Sequence, residues 1–134
     1  MLFLFMFFNL HDIIYIVCMQ KEKRMKNRSF IEFNEKHKFE VNMNISYGTI
    51  NDYLITLYQI TFHKILLIPL PSVSAEEKTV ILDYLRDKKS ELKLNRFSFD
   101  NTVLIIKIKE NIRPMPVMDI ENILNNVTLF LKTG

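Results

Sequence analysis

The sequence has one cysteine, Cys18, only two glycines and no tryptophan among its 134 residues. A single cysteine excludes a disulfide within one chain and a zinc site built on several thiolates. Two glycines leave no glycine-rich loop of the kind that holds nucleotide phosphates. Only four prolines and a hydrophobic content of 49% argue against low-complexity and disordered chains. We therefore expect a globular protein without a cofactor.

The positive charge of the chain is concentrated in one short stretch. Five bases stand there against one acid, Glu22, while the whole chain has a net charge of only +3. The bases are Lys21, Lys23, Arg24, Lys26 and Arg28. A nucleic-acid-binding domain usually spreads basic residues over one folded face. Because the remainder of this chain is near neutral, nucleic acid is not the expected partner.

Residues 2–19 are almost wholly apolar, and three interpretations of them remain open: a membrane span, a start of translation placed too early, and a buried helix. Their length approaches that of a membrane-spanning helix, although residues 9–12 form a polar patch near the middle. A span would keep the rest of the chain cytoplasmic and bring the five bases to anionic head groups. Alternatively, translation starts at Met25. A signal peptide fits worse, because the positive charge follows the apolar run and no small-residue cleavage site appears.

These observations divide the chain into a leader of residues 1–24 and a single domain of residues 25–134. The main domain is expected in the cytoplasm, either free or held at the membrane by residues 2–19.

Four segments of the domain have strand-like patterns. Residues 39–45 alternate between apolar and polar, which predicts a half-buried strand with Phe39, Val41, Met43 and Ile45 on one face. Turn residues follow at 47–49 and 51–52. Residues 54–60 favour a strand because β-branched and aromatic residues dominate, although a helical stripe is also present. Residues 65–68 predict a short buried strand, and residues 97–109 predict a hairpin that turns at Asp100–Asn101.

Three segments have helix-like patterns. Residues 29–38 predict a short helix capped by Ser29. Ser74 and Glu77 form a capping box ahead of a second helix, whose apolar stripe comprises Val80, Ile81, Tyr84 and Leu85. A third helix is predicted near the end of the chain, with Ile120, Ile123, Leu124, Val127 and either Phe130 or Leu131 directed inward.

This order of elements predicts an α+β fold. We expect a two-layer sandwich, in which helices cover one face of a mostly antiparallel sheet of about four or five strands. The apolar N-terminal segment precedes it.

No motif in the sequence carries recognisable chemistry. His11, His37 and His63 have no metal-ligand spacing, and no catalytic site is predicted. One nucleic-acid hypothesis has a physical basis: the aromatic rings of Phe97 and Phe99, flanked by Arg96, Lys107 and Lys109, resemble a base-stacking platform. The competing interpretation is that both rings fill the core.

The most economical functional expectation is a small non-enzymatic domain that acts through a protein partner or as a homodimer. An apolar sheet face left uncovered would support it, particularly around residues 53–62. The alternative is a membrane-anchored cytoplasmic domain, with residues 2–19 as the anchor. An enzyme of unknown class is the third choice.

Overall fold

The computed structural model describes residues 28–60, 63–109 and 115–133, so the predictions for residues 1–27 lie outside the described residues. Three helices are present in this part of the chain: α1 (residues 28–37), α2 (Ala75–Lys88) and α3 (Val117–Thr133). Six strands accompany them: β1 (Glu40–Asn42), β2 (Ile45–Ile50), β3 (Tyr53–Ile60), β4 (His63–Pro69), β5 (Arg96–Asp100) and β6 (Val103–Lys109).

The described strands form one antiparallel sheet in the order β1-β2-β3-β4-β6-β5. Every helix packs on the same side of it, which confirms the predicted α+β class with helices on one face. The predicted number of four or five strands was wrong, because the sheet has six. The extra strand arises where one predicted strand, residues 39–45, is divided by a turn.

The helix-covered face holds the core. Leu57 pairs with Leu66, and Leu66 pairs with Ile106, so these three lie side by side across the sheet and are fully buried. Successive side chains of a strand point to opposite faces of the sheet. Once this row is known to face the helices, the face of each remaining strand residue is therefore known as well. The helices bury the apolar positions Ile81, Leu85, Ile120, Ile123, Leu124 and Val127 against it.

The two long helices agree closely with their predicted patterns. The Ser74 hydroxyl accepts a hydrogen bond from the Glu77 backbone N–H at 3.1 Å, which confirms the serine cap of α2. In the predicted stripe of α2, Ile81 and Leu85 are buried, but Val80 is 55% exposed. In α3 all four predicted core positions are buried, and both Phe130 and Leu131 are partly buried against the core.

The prediction of one continuous strand over residues 39–45 was wrong. The chain turns at Met43, which has a φ of 59° and is 90% exposed, and Ile45 begins the next strand. A two-residue turn preserves the alternation of apolar and polar letters, so the pattern alone does not reveal it. The turn places Ile45 on the opposite face of the sheet from Phe39 and Val41.

The remaining turns and strands are mostly as expected. Asn51 and Asp52 adopt φ values of 49° and 71°, which suit a tight hairpin. Asn101, with φ of 54°, lies in the predicted β5–β6 turn. Residues 54–60 are strand, as favoured over helix. The predicted turn at residues 47–49 was wrong, because Gly48 lies within β2.

Helix α1 differs from its prediction at its start. Residue 28 is already helical, so Ser29 is not the N-cap. Its hydroxyl instead accepts a hydrogen bond from the Lys64 ammonium at 2.9 Å. At the other end, Lys38 has a φ of 56° and the Phe39 N–H donates to the Asn34 carbonyl at 2.9 Å, a left-handed helix ending.

Gly48 is needed because the Phe39 ring lies directly against its Cα. A Cβ at this position would clash with three carbons of that ring. We therefore expect Gly48→Ala to lower the free energy of unfolding by about 1–3 kcal/mol, the usual range for overpacking. Denaturant unfolding measures this. In the Phe39→Leu background the same substitution is expected to have a much smaller effect, and an equal effect there would contradict the assigned clash.

Candidate functional site

The side of the sheet away from the helices is apolar and uncovered by the described residues. Its central positions, which we call the open face, are Ile45, Tyr47, Leu54, Thr56, Tyr58, Ile60, Ile65, Leu67, Val103 and Ile105. None of these side chains is buried, and Tyr47, Leu54 and Ile60 are 46%, 49% and 42% exposed. A contiguous apolar patch of this kind usually marks a surface that another molecule covers.

The local sequence of two central strands explains this second apolar face. Residues 65–68 of β4 and residues 103–106 of β6 are apolar at every position. Alternate residues in each run face the helices, and the others face outward. Uninterrupted apolar runs are typical of strands that are buried on both faces, whereas half-solvated strands alternate with polar residues. The two uninterrupted apolar runs are therefore a signal in the sequence for a second apolar face of the sheet.

Charged side chains lie at the two lateral edges of the open face. At one edge, the Tyr47 hydroxyl donates a hydrogen bond to the Glu40 carboxylate at 2.6 Å. This hydrogen bond and the charge of Glu40 raise the pKa of Tyr47. At the opposite edge, Arg96 and Lys107 are direct cross-strand partners. An apolar centre with a polar rim is the usual anatomy of a protein–protein interface.

The five residues of the nucleic-acid hypothesis do not lie on one surface. Arg96 and Lys107 are on the open side, and the backbone of Lys109, two residues further along β6, pairs with His63 of β4. Phe97 and Phe99 are on the helix-covered side, where they pack against the core. The Lys78 ammonium lies 5.6 Å from the centre of the Phe99 ring. The hypothesis stays a prediction, but its two rings face the side of the sheet opposite to Arg96 and Lys107.

Only one of the five bases of the N-terminal stretch is described. Arg28 is 81% exposed and its Nε lies 3.0 Å from a carboxylate oxygen of Glu32; Lys21, Lys23, Arg24 and Lys26 fall outside the described residues. Among the described helices, none is long and apolar enough to cross a bilayer. The membrane-surface hypothesis therefore stays a prediction.

A cleft of about 570 Å³ opens at the end of the sheet where β4 leads into α2. Its walls are largely apolar, and its acidic residues are Asp52, Glu76 and Glu77. Asp52 already forms an ion pair with Lys132 at 2.9 Å. Among the described residues that line the cleft, none is a histidine, cysteine or lysine. The cleft therefore offers mainly apolar contact.

A cluster of titratable groups joins α1 to α3. The Glu121 carboxylate accepts hydrogen bonds from Lys36 and contacts the His37 ring nitrogen Nε2 at 3.0 Å. The hydrogen bond from Lys36, aided by His37, holds the pKa of Glu121 below its ordinary value of 4.5. The His37 ring also lies against the Phe33 ring, with 4.5 Å between the ring centres and a tilt of 35°. These contacts fasten one helix to another, and no metal-binding cluster exists among the described residues.

Glu121 makes stability depend on pH in the acid range. Because its pKa is lowered by folding, its contribution is complete above about pH 4.5 and is lost as pH falls through the lowered value. Glu121→Gln is therefore expected to lower the free energy of unfolding by up to about 1 kcal/mol at pH 5.5 and by less at pH 3. Urea unfolding at both pH values measures this. A difference that does not change with pH would contradict the role of the carboxylate charge.

Polar side chains are buried between α1 and the sheet. Lys64 is fully buried, and its ammonium donates to Ser29, which is 6% exposed. Serine–lysine pairs serve as nucleophile and base in some hydrolases, but burial of both residues denies a substrate access to this hydroxyl. No pattern in the sequence predicts the burial of Lys64, since a lysine beside apolar strand residues resembles an ordinary exposed position.

Two further members of this layer make no side-chain hydrogen bond to another described residue: Asn34 and Ser46, which are 3% and 0% exposed. A buried polar atom without a partner costs about 1–3 kcal/mol. Ser46→Ala is therefore expected to raise the free energy of unfolding by about 1 kcal/mol, as measured by denaturant unfolding. Ser98→Ala, at an exposed position of β5, is the matched control. Destabilisation by Ser46→Ala would show that the hydroxyl has a stabilising partner.

Comparison with known proteins gave no match to a protein family and none to a curated protein.

Proposed function

We propose that this protein is a non-enzymatic interaction module that pairs with a second copy of itself through the open face. The observation that carries the proposal is the uncovered apolar surface formed by β2, β3, β4 and β6. The apolar runs at residues 65–68 and 103–106 support it, because their outward-facing members have no role in the core.

The area of the open face is adequate for a stable homodimer. Strands lie about 4.8 Å apart and each residue advances about 3.3 Å, so the open side of all six strands, with the polar rim included, covers roughly 550 Å². Two copies would bury at least about 1,100 Å² between them, near the lower bound for specific interfaces. Because the side chains protrude from the sheet, the accessible area that they bury is larger than this estimate for a flat surface.

The shape and chemistry of the face also favour a copy of itself. Twisted sheets pack face to face about 10 Å apart with interdigitated side chains, as in a β-sandwich. The centre of the open face contains aliphatic and tyrosine side chains, and the hydroxyls of Tyr47, Thr56 and Tyr58 provide polar contacts. A surface of this composition matches its own copy without leaving a charge buried.

The membrane-anchored alternative depends on residues 2–19, which lie outside the described residues, and it stays a prediction. It is compatible with pairing, because α1, with which the described part of the chain begins, lies on the helix side of the sheet.

The first experiment measures the mass of the full chain in solution with and without a charge at the centre of the open face. The native protein is expected to be a dimer by analytical ultracentrifugation. Leu67→Lys is expected to raise the dimer dissociation constant by more than about tenfold, because pairing would bury an unpaired ammonium.

The matched control is Met118→Lys, since Met118 is 76% exposed on α3 and lies on the opposite layer. It adds the same charge and is expected to leave the dimer intact. Circular dichroism verifies that both variants fold. A monomeric native protein, or a dimer that tolerates Leu67→Lys, would overturn the proposal.

A further inference from the structure

The charges of the open face have opposite signs at its two edges. Glu40 lies on β1, the strand at one side of the sheet. Arg96 and Lys107 lie on β5 and β6 at the other side. The apolar strands β2, β3 and β4 separate the acid from the bases, so the face has a negative edge and a positive edge.

The positive edge has no acidic partner within the described part of the molecule. Arg96 and Lys107 are paired directly across two antiparallel strands, and like charges in that position repel each other. Neither residue forms an ion pair with another described residue. Asp100 is on the same strand as Arg96 but lies about 13 Å further along it. An acid supplied by a partner would relieve this repulsion.

Two symmetric arrangements of a face-to-face dimer place these edges differently. If the two-fold axis lies across the strands, β1 meets the partner's β1 and the bases meet the partner's bases. If the axis runs along the strands between β3 and β4, β1 meets the partner's β5. The second arrangement brings opposite charges together, whereas the first brings like charges together, and like-charge contacts are strongly disfavoured at interfaces.

Distances along the strands permit a contact between Glu40 of one copy and Arg96 of the other. Glu40 occupies the same row of the sheet as Tyr47, Thr56, Leu67, Ile105 and Ser98. Ser98 is two residues from Arg96, so under the axis along the strands the partner's Arg96 would lie about 6.6 Å from Glu40 along the strand direction. A long arginine side chain spans that separation and can bind a carboxylate in a bidentate manner.

We infer that the homodimer has its two-fold axis parallel to the central strands and is held in register by ion pairs from Glu40 of each copy to Arg96 and Lys107 of the other. This inference rests on the proposed pairing through the open face. It specifies which edges meet, and it assigns Arg96 and Lys107 a protein carboxylate as their partner.

A charge exchange in the full chain tests the arrangement. Glu40→Arg and Arg96→Glu are each expected to raise the dimer dissociation constant about fivefold or more, because at least two rim ion pairs per dimer become repulsive. The double variant Glu40→Arg/Arg96→Glu restores opposite charges between positions 40 and 96, although Lys107 still faces a like charge at position 40. Its dissociation constant is therefore expected to be at least about twofold lower than that of either single variant. Sedimentation equilibrium at low salt measures all four proteins, since salt screens such pairs.

The matched control is Asp83→Arg, which makes the same charge change on the exposed surface of α2 and is expected to have no effect. A native dimer that ignores both single variants would overturn this arrangement while leaving the proposed function intact. Weakening by Arg96→Glu alone would also overturn it, because Arg96 would then contact something other than Glu40. A native monomer would remove the proposed function itself.

Discussion

The structure depends on the burial of one row of side chains, Leu57, Leu66 and Ile106, between the sheet and the helices. These three are adjacent across β3, β4 and β6, and all are fully buried. A register shift of one residue in any of these strands would move its apolar positions on the helix side to the other face. Helices α2 and α3 pack on a continuous apolar surface only because these three side chains lie on the same face of the sheet. The orientation of the open face, the position of Gly48 beneath Phe39 and the burial of Lys64 all follow from the same alignment.

Most of the fold could be predicted from the sequence, because local signals agreed with tertiary packing. The serine cap of α2, the apolar stripe of α3 and the β5–β6 turn each depend on residues within one helical turn or one hairpin. The β1–β2 turn could not be predicted in this way. Met43 adopts a left-handed conformation without being glycine or asparagine, and the alternation of residues 39–45 continues through it. Gly48 looked like a turn residue because its actual role, close approach of the Phe39 ring, is a tertiary contact.

The candidate site was only partly predictable for a related reason. Interaction surfaces have no fixed spacing of catalytic groups, so a search for motifs does not find them. The range in which exposed apolar side chains would support pairing, residues 53–62, contains Leu54, Tyr58 and Ile60. It does not contain Ile65 or Leu67, because residues 65–68 were interpreted only as a short buried strand. Which members of that apolar run face outward depends on the register of β4 against β6, and that register is a property of the assembled sheet.

The two faces of the sheet therefore differ in what covers them rather than in composition. On the helix side, apolar residues are buried by α1, α2 and α3, and the few polar ones are enclosed with them. On the open side, side chains of the same kinds remain in contact with solvent within the described part of the chain. Apolar surface of this extent favours association, and replacing its outward residues by threonine or lysine would leave the core unaltered. The presence of aliphatic side chains at positions that the core does not require is the main reason to assign this surface, rather than the cleft or the buried lysine, the function of the molecule.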